Sequence, residues 1–465
     1  MKKLSVADSL FLRVERCSHP MHFGTLQIYR YPDGDAQSYI EELVHYVAEI
    51  ARTIAPFNQR LRPPRYGIGL PSWEVDDNID IDHHIRQVKL SGTDKDEQLI
   101  ELTSRLHSSI LDRSRPLWEC TLIDGLDGGR FGAYWKFHHA YWDGVSALNT
   151  MDTIILSKKP DSLASDRIMG VRGNNVFESE KRDTVSVIAR KYFHSFSQNI
   201  KSIQELSHNN KKVKRRRRKV SGAKIPGWYT ASSSFINSPV SKNRRIATVT
   251  FSLSEFKYVA TNTKSSINDV ILAVSGGALR RLLVEKGLPL DKSLIVSVPV
   301  SLRKKSSQVD TGNAISDVLC EVGSDIRDPV ERLSSIHSSM IASKRKLVSL
   351  SKTAIRNYTL ITSFPFALSQ IFGLTKGIPI PYNFIVSNVV GSEEPLYLNG
   401  AKLESFYSPS LLFQMQCLNI TVVSYAGKLN FSLTACRDTL PDLDNLASYI
   451  RQEFSALLDS VQSIR

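Results

Sequence analysis

A mixed α/β protein of two lobes is the fold class this sequence predicts, and three observations predict it. Strand-like runs and helical periodicities interleave in both halves of the chain. A nine-residue block carrying eight positive charges, Lys211 to Lys219, stands between those halves. A length of 465 residues is too great for one small domain and suits two. The expected division is a first lobe over 1–183, a connecting segment over 184–224 and a second lobe over 225–465.

Within the first lobe, apolar residues recur at helical spacing over 38–54 and again over 96–112. Residues 117–124 (LWECTLID) then read as a strand, Gly125 to Arg130 as a turn, and 131–138 (FGAYWKFH) as a second, alternating strand. Val145 to Ile155 is the helix expected to follow. In the second lobe, strand-like runs occupy 246–252, 292–300 and 383–390. Residues 417–424 and 428–434 form a pair turning at Ala426-Gly427, and helical periodicity covers 268–284 and 442–458.

The connecting segment is strongly basic. Removing its eight charged residues from the net +14 leaves +6, so more than half the imbalance is local. A block of like charge does not pack and is expected to be solvated. Before it, Val185, Ile188, Tyr192, Phe196, Ile200 and Ile203 recur at helical spacing with Arg190, Lys191 and Lys201 among them. That combination suits an anionic membrane surface, at about 1 kcal/mol per basic residue. A core-packing helix joined to an inert linker fits it equally. Nucleic acid is not expected as a partner, because no recognised binding module accompanies the charge.

Residues 357–375 carry no charge and approach the length of a membrane span. Pro365 and the interspersed Ser, Thr, Asn and Gln favour a buried helix or tunnel wall, with an interfacial segment as the other reading. Five widely spaced cysteines (Cys17, Cys120, Cys320, Cys417, Cys436) contain no CxxC and read as reduced thiols. Asp8, Arg13 and Glu15 interrupt any apolar signal core. A cytoplasmic protein attached peripherally to membrane or lipid-droplet surfaces is therefore expected.

The chemistry concentrates in His138-His139-Ala140-Tyr141-Trp142-Asp143-Gly144. A neutral imidazole is the usual group for taking a proton from a hydroxyl near pH 7, and the exit of a strand is a common place to present one. A His-His pair alone also fits two buried histidines satisfying local hydrogen bonds. A zinc site needs three or four suitably spaced ligands, and no such cluster is visible, so no metal is expected.

The motif resembles the HHxxxDG signature of acyltransferases that share the chloramphenicol acetyltransferase fold, including peptide-synthetase condensation domains. The rest of the chain is similar to one branch, the bacterial and plant wax ester synthase/diacylglycerol acyltransferase family. The similarity runs colinearly through Leu4-Ser5, Asp8, Phe11-Leu12, Glu15 and Pro20 to Gly24, then Pro116-Leu117-Trp118 and Asn268-Asp269. It continues through Pro299 to Arg303, Gly312-Asn313, Ser316, and Ser387-Asn388-Val389 with Gly391. Bulky Tyr141 and Trp142, and Val390 and Ser392 where the family often has proline, depart from the pattern and are expected to alter the acceptor pocket.

The resemblance implies two chloramphenicol-acetyltransferase-like α/β lobes with an active-site tunnel between them. It implies transfer of a long-chain acyl group from acyl-CoA, a substrate rather than a cofactor, to a fatty alcohol or diacylglycerol. His139 is then the general base and His138 supports its orientation. Asp143 is architectural, pairing with Arg303, and Gly144 permits the close turn. Asn268 supplies an amide to the oxyanion of the tetrahedral intermediate. The residues that bind the coenzyme A phosphates are not identified. A condensation-type or polyketide-associated enzyme using a carrier-bound donor is the alternative, and a non-catalytic lipid-surface protein a third reading.

Overall fold

The structure is a computed structural model that describes residues 2–64, 69–142, 147–148, 150–160, 226–301, 315–348, 365–373 and 379–463. Asp143, Gly144, Arg303 and the whole 184–224 segment lie outside the described residues. The first half runs β1 (Lys2–Lys3), α1 (Val6–Val14), β2 (His22–Arg30), α2 (Ala36–Thr53), β3 (Gln59–Arg62), β4 (Ser72–Val75), α3 (Ile81–His84), β5 (Ile85–Lys89), α4 (Lys95–Ser108), β6 (Trp118–Leu126) and β7 (Arg130–His138). The second half runs β8 (Arg244–Ser252), α5 (Leu253–Asn262), α6 (Ile267–Glu285), β9 (Ile295–Ser301), β10 (Ile315–Glu321), α7 (Pro329–Val348), β11 (Phe384–Val390), β12 (Tyr397–Leu398), β13 (Ala401–Tyr407), β14 (Leu418–Tyr425), β15 (Lys428–Cys436) and α8 (Leu443–Ser463).

Local chemistry sets several boundaries. Asp35 starts α2 by accepting a hydrogen bond from the Ser38 amide at 2.7 Å. Ser266 and Asp269 form a reciprocal capping box at the start of α6. Helix α4 ends at Ser108, four residues short of the expected 112. Ser109 is extended there, and its carbonyl accepts from the Lys136 ammonium at 3.1 Å, so a tertiary contact stops the periodicity. The helix expected over 145–155 closes as a single π turn at Met151–Ile155.

Two six-stranded sheets dominate, ordered β12-β13-β2-β7-β6-β5 and β10-β9-β11-β14-β15-β8. Alternation gives the second sheet an apolar face, with Val296, Val298, Phe384, Val386, Ile420, Val422, Phe431 and Leu433 packed on the helical layer. Burying each such side chain contributes about 1.5–3 kcal/mol. Helix α6 is buried along most of its length, and Gly276-Gly277 allow it to close. A Cβ on Gly276 would overlap the Val322 carbonyl, and one on Gly277 the Glu453 carboxylate and Arg332 guanidinium. That pair is itself buried, with Arg332 Nη1 2.6 Å from Glu453 Oε2.

The two lobes interlock in ways that the expected division at 225 omits. β13 belongs to the second half of the chain, yet it pairs antiparallel with β2 and extends the first sheet. In return, α4 covers the edge of the second sheet. The Ser104 and Ser108 hydroxyls accept the amides of Ile246 and Arg244 at 3.0 and 2.9 Å, satisfying donors an edge strand would leave open. Glu101 on the same helix pairs with Arg245 and Arg437.

Candidate active site

The strand pair read from the sequence delivers both histidines. β6 and β7 pair antiparallel, β2 flanks β7 on its other side, and His22 stands opposite His138 in that ladder. His138 is the last residue of β7 and is fully buried. Its Nδ1 accepts a hydrogen bond from the Ala140 amide at 2.9 Å. The ring proton therefore sits on Nε2, which lies 3.3 Å from Glu15 Oε1. Both ring nitrogens are thus engaged, which suits a supporting role.

His139 is the next residue and is half-buried. Its amide donates to the Met21 carbonyl at 2.8 Å. Phe11 stacks on its ring with centroids 4.5 Å apart, and Phe23 meets it edge-on at 5.4 Å. Two aromatic walls fix the plane of the imidazole. Phe11 also packs against a cluster of Val14, Met21 and Leu411 that Ile371 and Phe413 of the second half join, so the His139 ring is one side chain from the junction of the lobes.

Beneath the histidines lies a carboxylate to which the sequence reading gave no role. Glu15 is buried, accepts the Met21 amide at 2.9 Å, and is gripped by Arg113 at 2.9 and 2.7 Å. Burial opposes its charge, but His138, the Met21 amide and Arg113 outweigh that and hold its pKa down at about 2. Glu15 therefore touches both histidines, one through its ring and the other through the Met21 peptide. The legible signal for Glu15, Phe11 and Phe23 was their place in the opening motif; Arg113 carried none.

The surroundings are rich in buried polar groups. Lys136 Nζ lies 3.0 Å from Glu119 Oε2, and burial lowers its pKa. His22 donates to the His107 carbonyl, and His107 accepts from the Tyr134 hydroxyl at 2.7 Å while donating to the Ser410 carbonyl. Gly24 permits this arrangement, because a Cβ there would meet the Tyr134 hydroxyl at 2.5 Å.

Asn268 is the second residue of α6 and is half-buried. Ser266 and Asp269 perform the cap, and Asp269 also pairs with His337 at 2.8 Å. The Asn268 amide is consequently not consumed by the helix terminus. It stands at the positive end of a nineteen-residue helix dipole.

Tyr141 and Trp142, expected to alter the acceptor pocket, make their described contacts within the first lobe. Trp142 is buried against Phe57 and Phe137, while the Tyr141 hydroxyl donates to the carbonyls of Pro56 and Gln59. Both rings fill the first lobe's own interior because flanking aromatics leave a matching space there. Val390 is 79% exposed, and Ser392 accepts the Glu394 amide in a surface turn. Of 357–375, only 365–373 are described; no described helix is long and apolar enough to cross a membrane.

Comparison with known proteins gives a consistent picture. The family model described as wax ester synthase/diacylglycerol acyltransferase catalytic domain matches residues 4–271, and the corresponding C-terminal domain matches 311–458. The chain is 34% identical to an O-acyltransferase of Acinetobacter baylyi over 97% of this chain and 96% of that one. It is 33% identical to a Mycobacterium tuberculosis protein named "Probable diacyglycerol O-acyltransferase tgs2", over 98% of each. The solved wax ester synthase/diacylglycerol acyltransferase of Marinobacter aquaeolei superposes with a TM-score of 0.76 at 30% identity, covering 99% of this chain and 100% of that chain. A condensation domain of a calcium-dependent antibiotic synthetase shares the fold, with a TM-score of 0.55 at 14% identity, covering 99% of this chain and 96% of that one.

Proposed function

The chain belongs to the wax ester synthase/diacylglycerol acyltransferase family, and from that premise we propose that it transfers a long-chain acyl group from acyl-CoA to a fatty alcohol or diacylglycerol. The observation that carries this reading is the His139 ring, held between Phe11 and Phe23 at the lobe junction, beside a buried His138 whose nitrogens are both engaged.

In this mechanism His139 takes the proton of the acceptor hydroxyl as its oxygen attacks the thioester carbonyl. The carbonyl oxygen becomes an oxyanion, to which Asn268 and the N-terminus of α6 offer stabilisation. A donor in that role is worth about 10²–10³ in rate. The intermediate then collapses, the ester forms, and the coenzyme A sulfur leaves with the proton returned by the imidazolium. Base and donor act within one ternary complex, so no covalent acyl-enzyme and no cofactor is needed. Asp143 and Arg303 act in loop architecture in this reading.

The test is transfer by the purified protein from palmitoyl-CoA to hexadecanol and to a diacylglycerol. Ester formation with either acceptor is the expected result. Its absence with both, alongside turnover of a carrier-bound acyl group, would favour the condensation-type alternative.

The same reading places the protein at lipid surfaces, where its acceptors reside, with the 211–219 run as the electrostatic attachment. Such attraction is screened over about 10 Å at 0.1 M salt. Binding to anionic vesicles should therefore fall sharply as salt rises. Replacing the eight basic residues with Ser and Gly should abolish most of that binding and spare transfer to a short soluble alcohol. Undiminished sedimentation of the replaced protein with anionic vesicles would remove the run from this role.

A further inference from the structure

The second sheet opens where two of its parallel strands should continue together. β9 and β11 pair only at Val296–Phe384 and Ser297–Ile385, although both strands run on for several residues. Ile295 shows which way this backbone faces: its amide donates to Asn383 Oδ1 at 2.8 Å, and its carbonyl accepts the Asn383 amide at 2.7 Å. By alternation, residue 299 also turns its backbone toward β11. Residue 299 is proline and has no N–H to give, so the ladder cannot extend there. Beyond that point Ser387, Asn388 and Val389 all keep accessible surface, although successive side chains point to opposite faces.

On the far side of Pro299, β10 places Asp317 directly opposite it. Asp317 is half-buried. The Ser297 hydroxyl is its hydrogen-bond partner, and among the described residues it has no cation partner. Burial pushes its carboxyl up to about 6, with the Ser297 bond opposing. Nearby are the Tyr382 phenol and Gln416, which is almost fully buried. The Tyr382 phenol and Gln416 are hydrogen-bonded to each other. A buried carboxylate with a single hydroxyl partner among the described residues is a costly arrangement unless a ligand supplies further donors.

We propose that the crevice between β9 and β11, with Asp317 as its acceptor, binds the neutral, N–H- and O–H-bearing arm of the thioester substrate. The inference rests on the acyl-CoA reading above. A carboxylate repels phosphate, so the nucleotide end of coenzyme A does not belong there. A fatty alcohol or diacylglycerol has one hydroxyl, and that hydroxyl is committed to His139. The pantetheine arm carries two amide N–H groups and a hydroxyl, which match an acceptor-lined crevice beside Gln416. Asp317 is on this account a substrate-binding residue that discriminates for the amide-bearing donor.

The experiment compares Asp317→Leu and Asp317→Asn with the native chain. Losing a hydrogen bond to a charged acceptor should raise KM for palmitoyl-CoA about tenfold in Asp317→Leu. The inhibition constant of pantetheine should rise by a similar factor. KM for hexadecanol and the inhibition constant of adenosine 3′,5′-bisphosphate should stay within about twofold. Asp317→Asn retains an acceptor oxygen and should lie between native and Asp317→Leu. Thermal unfolding should not weaken in either variant, because the buried carboxyl is disfavoured by its surroundings. Unchanged pantetheine inhibition, or a rise confined to the alcohol KM, would overturn the proposal. A native protein that binds palmitoyl-CoA by calorimetry but transfers nothing would instead sink the acyltransferase reading, and the pantetheine comparison would still be measurable by binding.

Discussion

Replacing His139 with alanine should lower kcat for acyl transfer by at least about 10²-fold while the purified protein keeps its native unfolding midpoint. The rate loss follows from removing the group that takes the acceptor proton. The retained stability follows from where the ring sits: it is half-buried between Phe11 and Phe23, and the contact anchoring the residue is the amide bond to Met21, which alanine keeps. His138→Ala should show the opposite pattern. It removes a fully buried ring that satisfies the Ala140 amide and faces Glu15, so stability falls and the rate falls less steeply. A folded His139→Ala protein with near-native transfer would eliminate His139 as the base.

Glu15→Ala should destabilise the protein by about 2–5 kcal/mol, because the Met21 amide and the His138 Nε2 proton both lose a buried acceptor. The transfer rate should also fall, since His139 hangs from the Met21 carbonyl and Met21 is tethered by Glu15. The pH dependence carries a sign. Glu15 has a native pKa of about 2 against an ordinary 4.5, so its contribution is complete above 4.5 and is lost as pH falls toward 2. Burial holds His107 at about 3 and His84 at about 4, against an ordinary 6.5. Their neutral native forms cost nothing above 6.5 and oppose folding increasingly below it. Urea midpoints of the native chain should therefore decline from about pH 6.5 downward. Glu15→Ala should flatten the part of that decline below 4.5. A variant with native stability and native rate would show that the carboxylate anchors neither histidine.

Much of this architecture was legible in the linear chain, for identifiable reasons. Alternation in 131–138 and the glycine-rich turn before it fixed β7, its hairpin partner and therefore the exit at which His139 is presented. Apolar spacing fixed α2, α6 and α8 to within a few residues, because a single buried stripe imposes the helical period whatever lies opposite it. The colinear motifs identified the family. Other features needed distant segments to meet. β13 was not read as a strand of the first lobe, since no local pattern states which edge a strand will join. The contacts of Tyr141 and Trp142 with Phe57 and the carbonyls of the 56–59 turn were not legible, because those partners lie some eighty positions away. The role of Glu15 depended on Arg113, ninety-eight positions away, and on His138. The sequence by itself determined the order of the elements, the strand exit that carries His138 and His139, and the family. Only the tertiary structure decided which carboxylate meets His138 and where the second sheet parts at Pro299, because burial and pairing arise between segments that the local chemistry of neither one can specify.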